Sequence, residues 1–122
     1  MTELLVGRKD EMQDGDRRLI ETEGFEVGVY RHDGMYYAYR NVCLHQGGPV
    51  CEGIVIGKVE DVLAADRTYI RQRFDNGDPH IVCPWHGYEY RLLTGECAPD
   101  PRRRLKSYKV VERNEELYVV ID

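Results

Sequence analysis

Residues 83–87 read Cys83-Pro84-Trp85-His86-Gly87. They place a cysteine and a histidine three apart, with proline inside the stretch and glycine after it. Proline lacks the backbone donor of a helix interior and glycine favours chain reversal, so the stretch is a turn rather than a helix. Two soft donors on one tight turn make half of a metal site, and a second pair is then expected elsewhere. Cys43-Leu44-His45 supplies it, with 37 residues between His45 and Cys83. Each turn offers one thiolate and one imidazole.

The rest of the chain sets the frame for these turns. With 122 residues it suits a single domain with a substantial core. Charged residues make up 32% and the net charge is −5, which gives no support for nucleic-acid binding and is compatible with a basic docking partner. No apolar run approaches the ~20 residues of a membrane span. The opening Met1-Thr2-Glu3-Leu4-Leu5-Val6 lacks the basic head and apolar run of a secretion signal. A cytoplasmic protein is expected, in which the four cysteines are ligands or buried thiols before they are disulfides.

Strand signals dominate. Nine tyrosines, with Val and Ile, favour strands. Phe25 to Val29 alternates with period two, as do Met35, Tyr37 and Tyr39, and His32-Asp33-Gly34 between them reads as a hairpin connection. Asp14-Gly15 is a further turn. Tyr108 to Val111 and Leu117 to Ile121 flank Arg113-Asn114-Glu115-Glu116, a second hairpin. Residues 41–53 are dense in turn formers. Residues 54–79 mix apolar and charged residues and read as a strand pair or a short irregular excursion, with Asp75-Asn76-Gly77-Asp78-Pro79 as a turn signal. The predicted class is all-β.

A tetrahedral zinc on two Cys and two His is the first site to weigh, but zinc knuckles usually pair Cys with Cys, and Cys-x-His fits them poorly. The flanks carry more. Cys43-x-His45-x-Gly47-Gly48-Pro49 and Cys83-Pro84-Trp85-His86-Gly87, followed by Tyr88 to Gly95, resemble the two cluster loops of Rieske iron–sulfur proteins. The likeness continues more weakly through the earlier hairpins and the 99–121 tail. It implies the Rieske fold: antiparallel sheets forming a β-sandwich, with a small cluster-binding subdomain of two loops. The domain would span 1–122, its cluster-binding part about 41–98, with an insertion-like segment about 54–79. That segment is long for the small soluble members.

The resemblance also implies a ligand set. Cys43 and Cys83 would hold the buried iron of a [2Fe–2S] cluster, and His45 and His86 the outer iron. Two ferric ions, two sulfides and two thiolates sum to zero charge with neutral imidazoles, and reduction makes the sum −1. A four-cysteine cluster would go from −2 to −3. Adding an electron to the neutral centre costs less, which is why Rieske centres reach about −150 to +300 mV against about −400 mV for plant-type ferredoxins. Gly47, Gly48 and Gly87 would let backbone approach the cluster and donate N–H groups to sulfur. High-potential members clamp the loops with a disulfide; Gly48 and Trp85 occupy those positions here, so Trp85 takes a cluster-side place. Those members also use a Ser and a Tyr as donors to sulfur. Tyr88 replaces the Ser and Tyr90 is kept, so Tyr90 is expected to donate to the Cys43 thiolate. Both departures point to the low end of the potential range.

Other residues have plainer readings. Cys51 and Cys97 read as small buried thiols, and His32 and His80 as structural or exposed. Arg102-Arg103-Arg104 with Lys106 reads as a solvated edge, with a docking patch as the alternative. The sequence holds no Gly-rich dinucleotide loop and no 2-His-1-carboxylate pattern. A lone one-electron centre transfers electrons and has no catalytic residues of its own. The expected function is a soluble low-potential carrier, the ferredoxin component passing electrons from a flavin reductase to an oxygenase. Two other classes stay open: an accessory relay subunit of a larger oxidoreductase, and a redox-sensing interaction protein.

Overall fold

The computed structural model of the chain describes residues 2–22, 24–44, 47–63, 69–85 and 87–121. Among them there is no α-helix; the regular structure is antiparallel sheet with two short 3-10 turns. One sheet has six strands: β1 (Thr2–Arg8), β2 (Arg17–Thr22), β3 (Phe25–His32), β4 (Met35–Arg40), β10 (Ser107–Arg113) and β11 (Glu116–Ile121). Their order is β1-β11-β10-β4-β3-β2. The other has five: β5 (Val55–Leu63), β6 (Tyr69–Val82), β7 (Glu89–Arg91), β8 (Glu96–Cys97) and β9 (Asp100–Arg104), in that spatial order. The all-β class is as the sequence predicts.

The hairpin turns follow from local chemistry. Asp33-Gly34 joins β3 to β4 with φ of 50° and 77°, and Asn114-Glu115 joins β10 to β11 with φ of 52° and 65°. Two-residue hairpins with both central φ positive match the twist of the strands they connect, and Gly, Asp and Asn tolerate that region best.

Two cores form. Val6, Met12, Val27, Val29, Ala38, Leu117 and Val119 fill one, inside the six-stranded sheet. The other gathers Tyr30 and Tyr39 from that sheet with Ile81, Tyr90 and Cys97 from the five-stranded one, together with Cys43, Val50, Cys51, Cys83 and Leu92 from the loops and turns. β3 lies between them. Val27 to Tyr30 are all buried, because Val27 and Val29 face one core while Gly28 and Tyr30 face the other. The period-two reading of this strand therefore holds for direction but not for burial. Each large apolar side chain so buried contributes about 1.5–3 kcal/mol.

The described residues of 55–79 form a strand pair. β5 pairs with β6 from Val55↔Ile81 to Leu63↔Tyr69. The expected turn at Asp75–Pro79 is corrected: the chain does not reverse there. Gly57 pairs with Pro79 and the next residue, Lys58, pairs with Asp75, so 76–78 are extra residues within β6. Turn formers have the backbone freedom that a bulge needs, and the pairing on either side keeps the strand running.

Candidate metal centre

The segment 41–54 leaves β4 and enters β5, and 83–88 joins β6 to β7, so both loops spring from the same end of the five-stranded sheet. They are built alike. In the first, the Gly47 N–H donates to the Cys43 carbonyl at 2.9 Å and the Cys43 N–H to the Gly48 carbonyl at 2.7 Å. In the second, the Gly87 N–H donates to the Cys83 carbonyl at 3.0 Å and the Cys83 N–H to the Tyr88 carbonyl at 2.8 Å. Gly47 and Gly87 have φ of 72° and 70°, a region that glycine enters without penalty. Each loop is thus a closed six-residue turn that starts at its cysteine. Both cysteines are buried, Cys43 at 3% exposure and Cys83 at 1%. His45 and His86 lie outside the described residues.

Tyr90 ties the second loop's strand to the first loop. Its hydroxyl is 3.1 Å from Cys43 Sγ and accepts the Leu44 N–H at 3.0 Å. Either atom can donate in that pair; with Cys43 as a metal-bound thiolate the hydroxyl would be the donor. Burial, followed by the bond to Cys43, pushes the Tyr90 pKa up, which keeps that proton in place. Tyr39 links the layers below, donating to the Leu92 carbonyl at 2.6 Å.

The N–H groups of Gly47 and Gly87 donate to the carbonyls of Cys43 and Cys83. What these glycines supply is backbone conformation and room: a Cβ on either would meet nothing within 4 Å. Gly48 acts differently. A Cβ there would lie 2.8 Å from the Trp85 ring, so the ring rests directly on this glycine. The two positions that a disulfide would join are instead in contact through an indole.

Cys51 and Cys97 are buried thiols with no bridge between them. Burial, chiefly, pushes the Cys51 pKa up to about 11, so it stays neutral. His80 is buried between two carboxylates, with Nδ1 2.9 Å from Glu89 and Nε2 3.5 Å from Asp78. It braces β6 against β7, a structural role.

Several site residues leave no local signal in the sequence. The Asn41 side chain accepts the Cys51 N–H at 2.7 Å and so anchors the 3-10 turn Val50–Glu52. Arg17 donates to the Gly53 carbonyl. Arg103 donates to the Leu44 carbonyl at 2.8 Å. The two arginine contacts join distant parts of the chain, 36 and 59 positions apart.

An all-β domain presenting two equivalent cysteine loops is an architecture that can hold a metal centre. The sequence model of the Rieske [2Fe-2S] domain matches residues 2–109, and the chain belongs to this family. A human Rieske domain-containing protein is 37% identical over 91 residues, covering 75% of this chain and 47% of its own length, so the chain spans about half of that relative. The ferredoxin component of the naphthalene 1,2-dioxygenase system of Pseudomonas putida is 28% identical over 111 residues, 89% of this chain and 84% of that one. Among solved structures, a chain of the complex of reduced oxygenase and oxidized ferredoxin in carbazole 1,9a-dioxygenase superposes with a TM-score of 0.69 at 27% identity, over 96% of this chain and 91% of that one. The ferredoxin of carbazole 1,9a-dioxygenase from Nocardioides aromaticivorans shares the fold along its whole length, with a TM-score of 0.68 at 22% identity.

The cofactor of the family is a Rieske-type [2Fe–2S] cluster. The described residues fit it: two buried thiols on matched loops, open space beside Gly47 and Gly87, and a hydroxyl 3.1 Å from one of the two sulfurs. Hydrogen bonds to cluster sulfur raise the potential by stabilising the reduced state. Tyr90→Phe is therefore expected to lower the midpoint potential. A charge-assisted bond of about 1.5 kcal/mol would be worth roughly tenfold in electron affinity, or about 60 mV for one electron. Protein-film voltammetry reads it, and an unchanged potential would remove Tyr90 from the site.

Proposed function

We propose that the chain is a soluble one-electron carrier, with Cys43 and Cys83 holding one iron of its cluster and His45 and His86 the other. The observation that carries this is the matched pair of loops, each closing on a buried cysteine and linked through the Tyr90 hydroxyl. The cluster supplies one-electron storage. The chain's own residues fix the cysteines, shield them from water and keep the loops close to the surface. Val42, Ile54, Pro84 and Trp85 are exposed around those loops, which suits brief contact with a redox partner.

By likeness to the naphthalene dioxygenase ferredoxin component and to the ferredoxin–oxygenase complex, the acceptor is an oxygenase; a flavin reductase is the proposed donor. A protein of this kind works in the cytoplasm, and among the described residues no helix is long and apolar enough to cross a membrane. The potential falls in the lower part of the Rieske range, below roughly 0 mV. Gly48 and Trp85 stand where the clamp of high-potential members would be, and Tyr88 stands where their serine would be.

Voltammetry and native purification test the reading together. A carrier gives a potential below about 0 mV and elutes alone in both redox states. A potential above about +150 mV sinks the low-potential carrier. Tight co-purification with a larger oxidoreductase favours the relay subunit, and retention of a target in one redox state only favours the sensor.

A further inference from the structure

Three arginines follow one another on β9, the edge strand of the five-stranded sheet, in a chain of net charge −5. A docking patch for an acidic partner is the simplest use of such a run, and the ion pairs argue against it. Arg102 Nε is 3.1 Å from Asp100 Oδ1, and Arg104 Nη2 is 4.0 Å from Glu96 Oε2. Both cations already face carboxylates of their own sheet. Arg103 differs. Alternation along the strand sends it to the opposite face from its neighbours. Its Nη2 donates to the Leu44 carbonyl at 2.8 Å, across 59 positions of sequence. Among the described residues its polar partner is that neutral carbonyl and no carboxylate, so no paired anion offsets its charge beside the first loop.

We propose that Arg103 is a positioning residue for the cluster: it fixes the peptide between Cys43 and His45 and lends a fixed positive charge to the reduced state. The inference rests on the ligand assignment proposed above. Leu44 sits between the two ligands of the first loop. Its N–H is held by the Tyr90 hydroxyl at 3.0 Å and its carbonyl by Arg103, so both of its backbone polar groups are anchored from outside the loop. Arg17 does the same at the far end of the loop, on the Gly53 carbonyl. Reduction adds one negative charge to what the loops hold. A cation fixed nearby lowers the energy of that state, and because Arg103 is exposed, salt must weaken the effect. A contact with a merely mechanical role has no such salt dependence.

The test compares Arg103→Gln, Arg103→Lys and Arg102→Gln in the cluster-loaded protein. At about 0.01 M salt, where the Debye length is ~30 Å, Arg103→Gln should lower electron affinity about threefold, or roughly 30 mV at 59 mV per tenfold. Arg103→Lys and Arg102→Gln should shift it by less than about 1.5-fold. At about 1 M salt, with a Debye length of ~3 Å, the Arg103→Gln difference should vanish. Cluster release to a chelator should be about threefold faster in Arg103→Gln and unchanged in Arg102→Gln. If Arg103→Gln assembles no cluster, assembly in Arg103→Lys supports the inference and failure of both overturns it. An unchanged potential at low salt, with two irons and the mixed-ligand spectrum retained, overturns it while leaving the ligand assignment standing. Loss of the mixed-ligand spectrum from the parent protein would instead sink that assignment.

Discussion

Cys83→Ser is expected to abolish the cluster outright. Iron and acid-labile sulfide should fall from about two each per chain to near zero, with loss of the red-brown colour. The expectation rests on how the second loop is made. Its shape comes from backbone bonds, Gly87 N–H to the Cys83 carbonyl and Cys83 N–H to the Tyr88 carbonyl, and serine leaves both intact. What serine removes is the soft thiolate in a site that is 1% exposed. Metal binding is coupled to the order of its loops, so stability should drop as well. Cys97→Ser is the matched control. Cys97 is also 1% exposed and lies in the same core, yet it belongs to β8 and to neither loop turn. It should keep both irons. Bleaching by Cys97→Ser, with colour retained in Cys83→Ser, would mean that the thiol ligands are wrongly assigned.

Gly53→Ala should be the most damaging change that touches no ligand. Its φ is −76°, open to any residue, so the cost is purely one of space. A Cβ there would lie 1.6 Å from the Val82 carbonyl oxygen and 3.2 Å from Pro84. Here the end of the first loop passes directly over the strand that leads into the second. Neither backbone can yield without parting the loops, because the Val82 N–H is bonded to the Ile54 carbonyl at 2.9 Å and Arg17 holds the Gly53 carbonyl. Overpacking of this kind costs about 3 kcal/mol, a large share of the 5–15 kcal/mol that holds a domain together. Urea unfolding of the cluster-loaded protein should show it. Gly47→Ala, with open space but φ of 72°, should cost only about 1 kcal/mol. Equal effects at the two positions would contradict the close approach.

These two cases mark what the sequence can express. Cys83-Pro84-Trp85-His86-Gly87 is legible because ligand, turn former and positive-φ glycine lie within one loop, and the same holds for Cys43 to Gly48. Asp33-Gly34 and Asn114 are legible for the same reason: a hairpin turn is a property of two residues. Gly53 is not, because its neighbour Val82 belongs to another strand and nothing around residue 53 reports it. Arg103 reaches Leu44 from 59 positions away, and in the sequence it is one of three identical letters. His80 shows no context locally, yet β7 brings Glu89 to one ring nitrogen while Asp78 approaches the other. The segment Asp75 to Pro79 misleads in the opposite direction. Its residues have the freedom to turn, but a bulge draws on that freedom as well as a reversal does, and strand pairing on both sides decides between them.

The central claim is that one iron is held by Cys43 and Cys83 and the other by His45 and His86. The most direct test is electron paramagnetic resonance of the dithionite-reduced protein, grown with nitrogen-15 histidine so that ligand nitrogens are seen through their couplings. The account predicts the low-average-g signal of mixed His/Cys ligation with two coupled histidine nitrogens, both lost in Cys83→Ser and one lost in an assembled His86→Cys variant. A colourless protein with one zinc per chain, or a reduced signal with no histidine coupling, would contradict it.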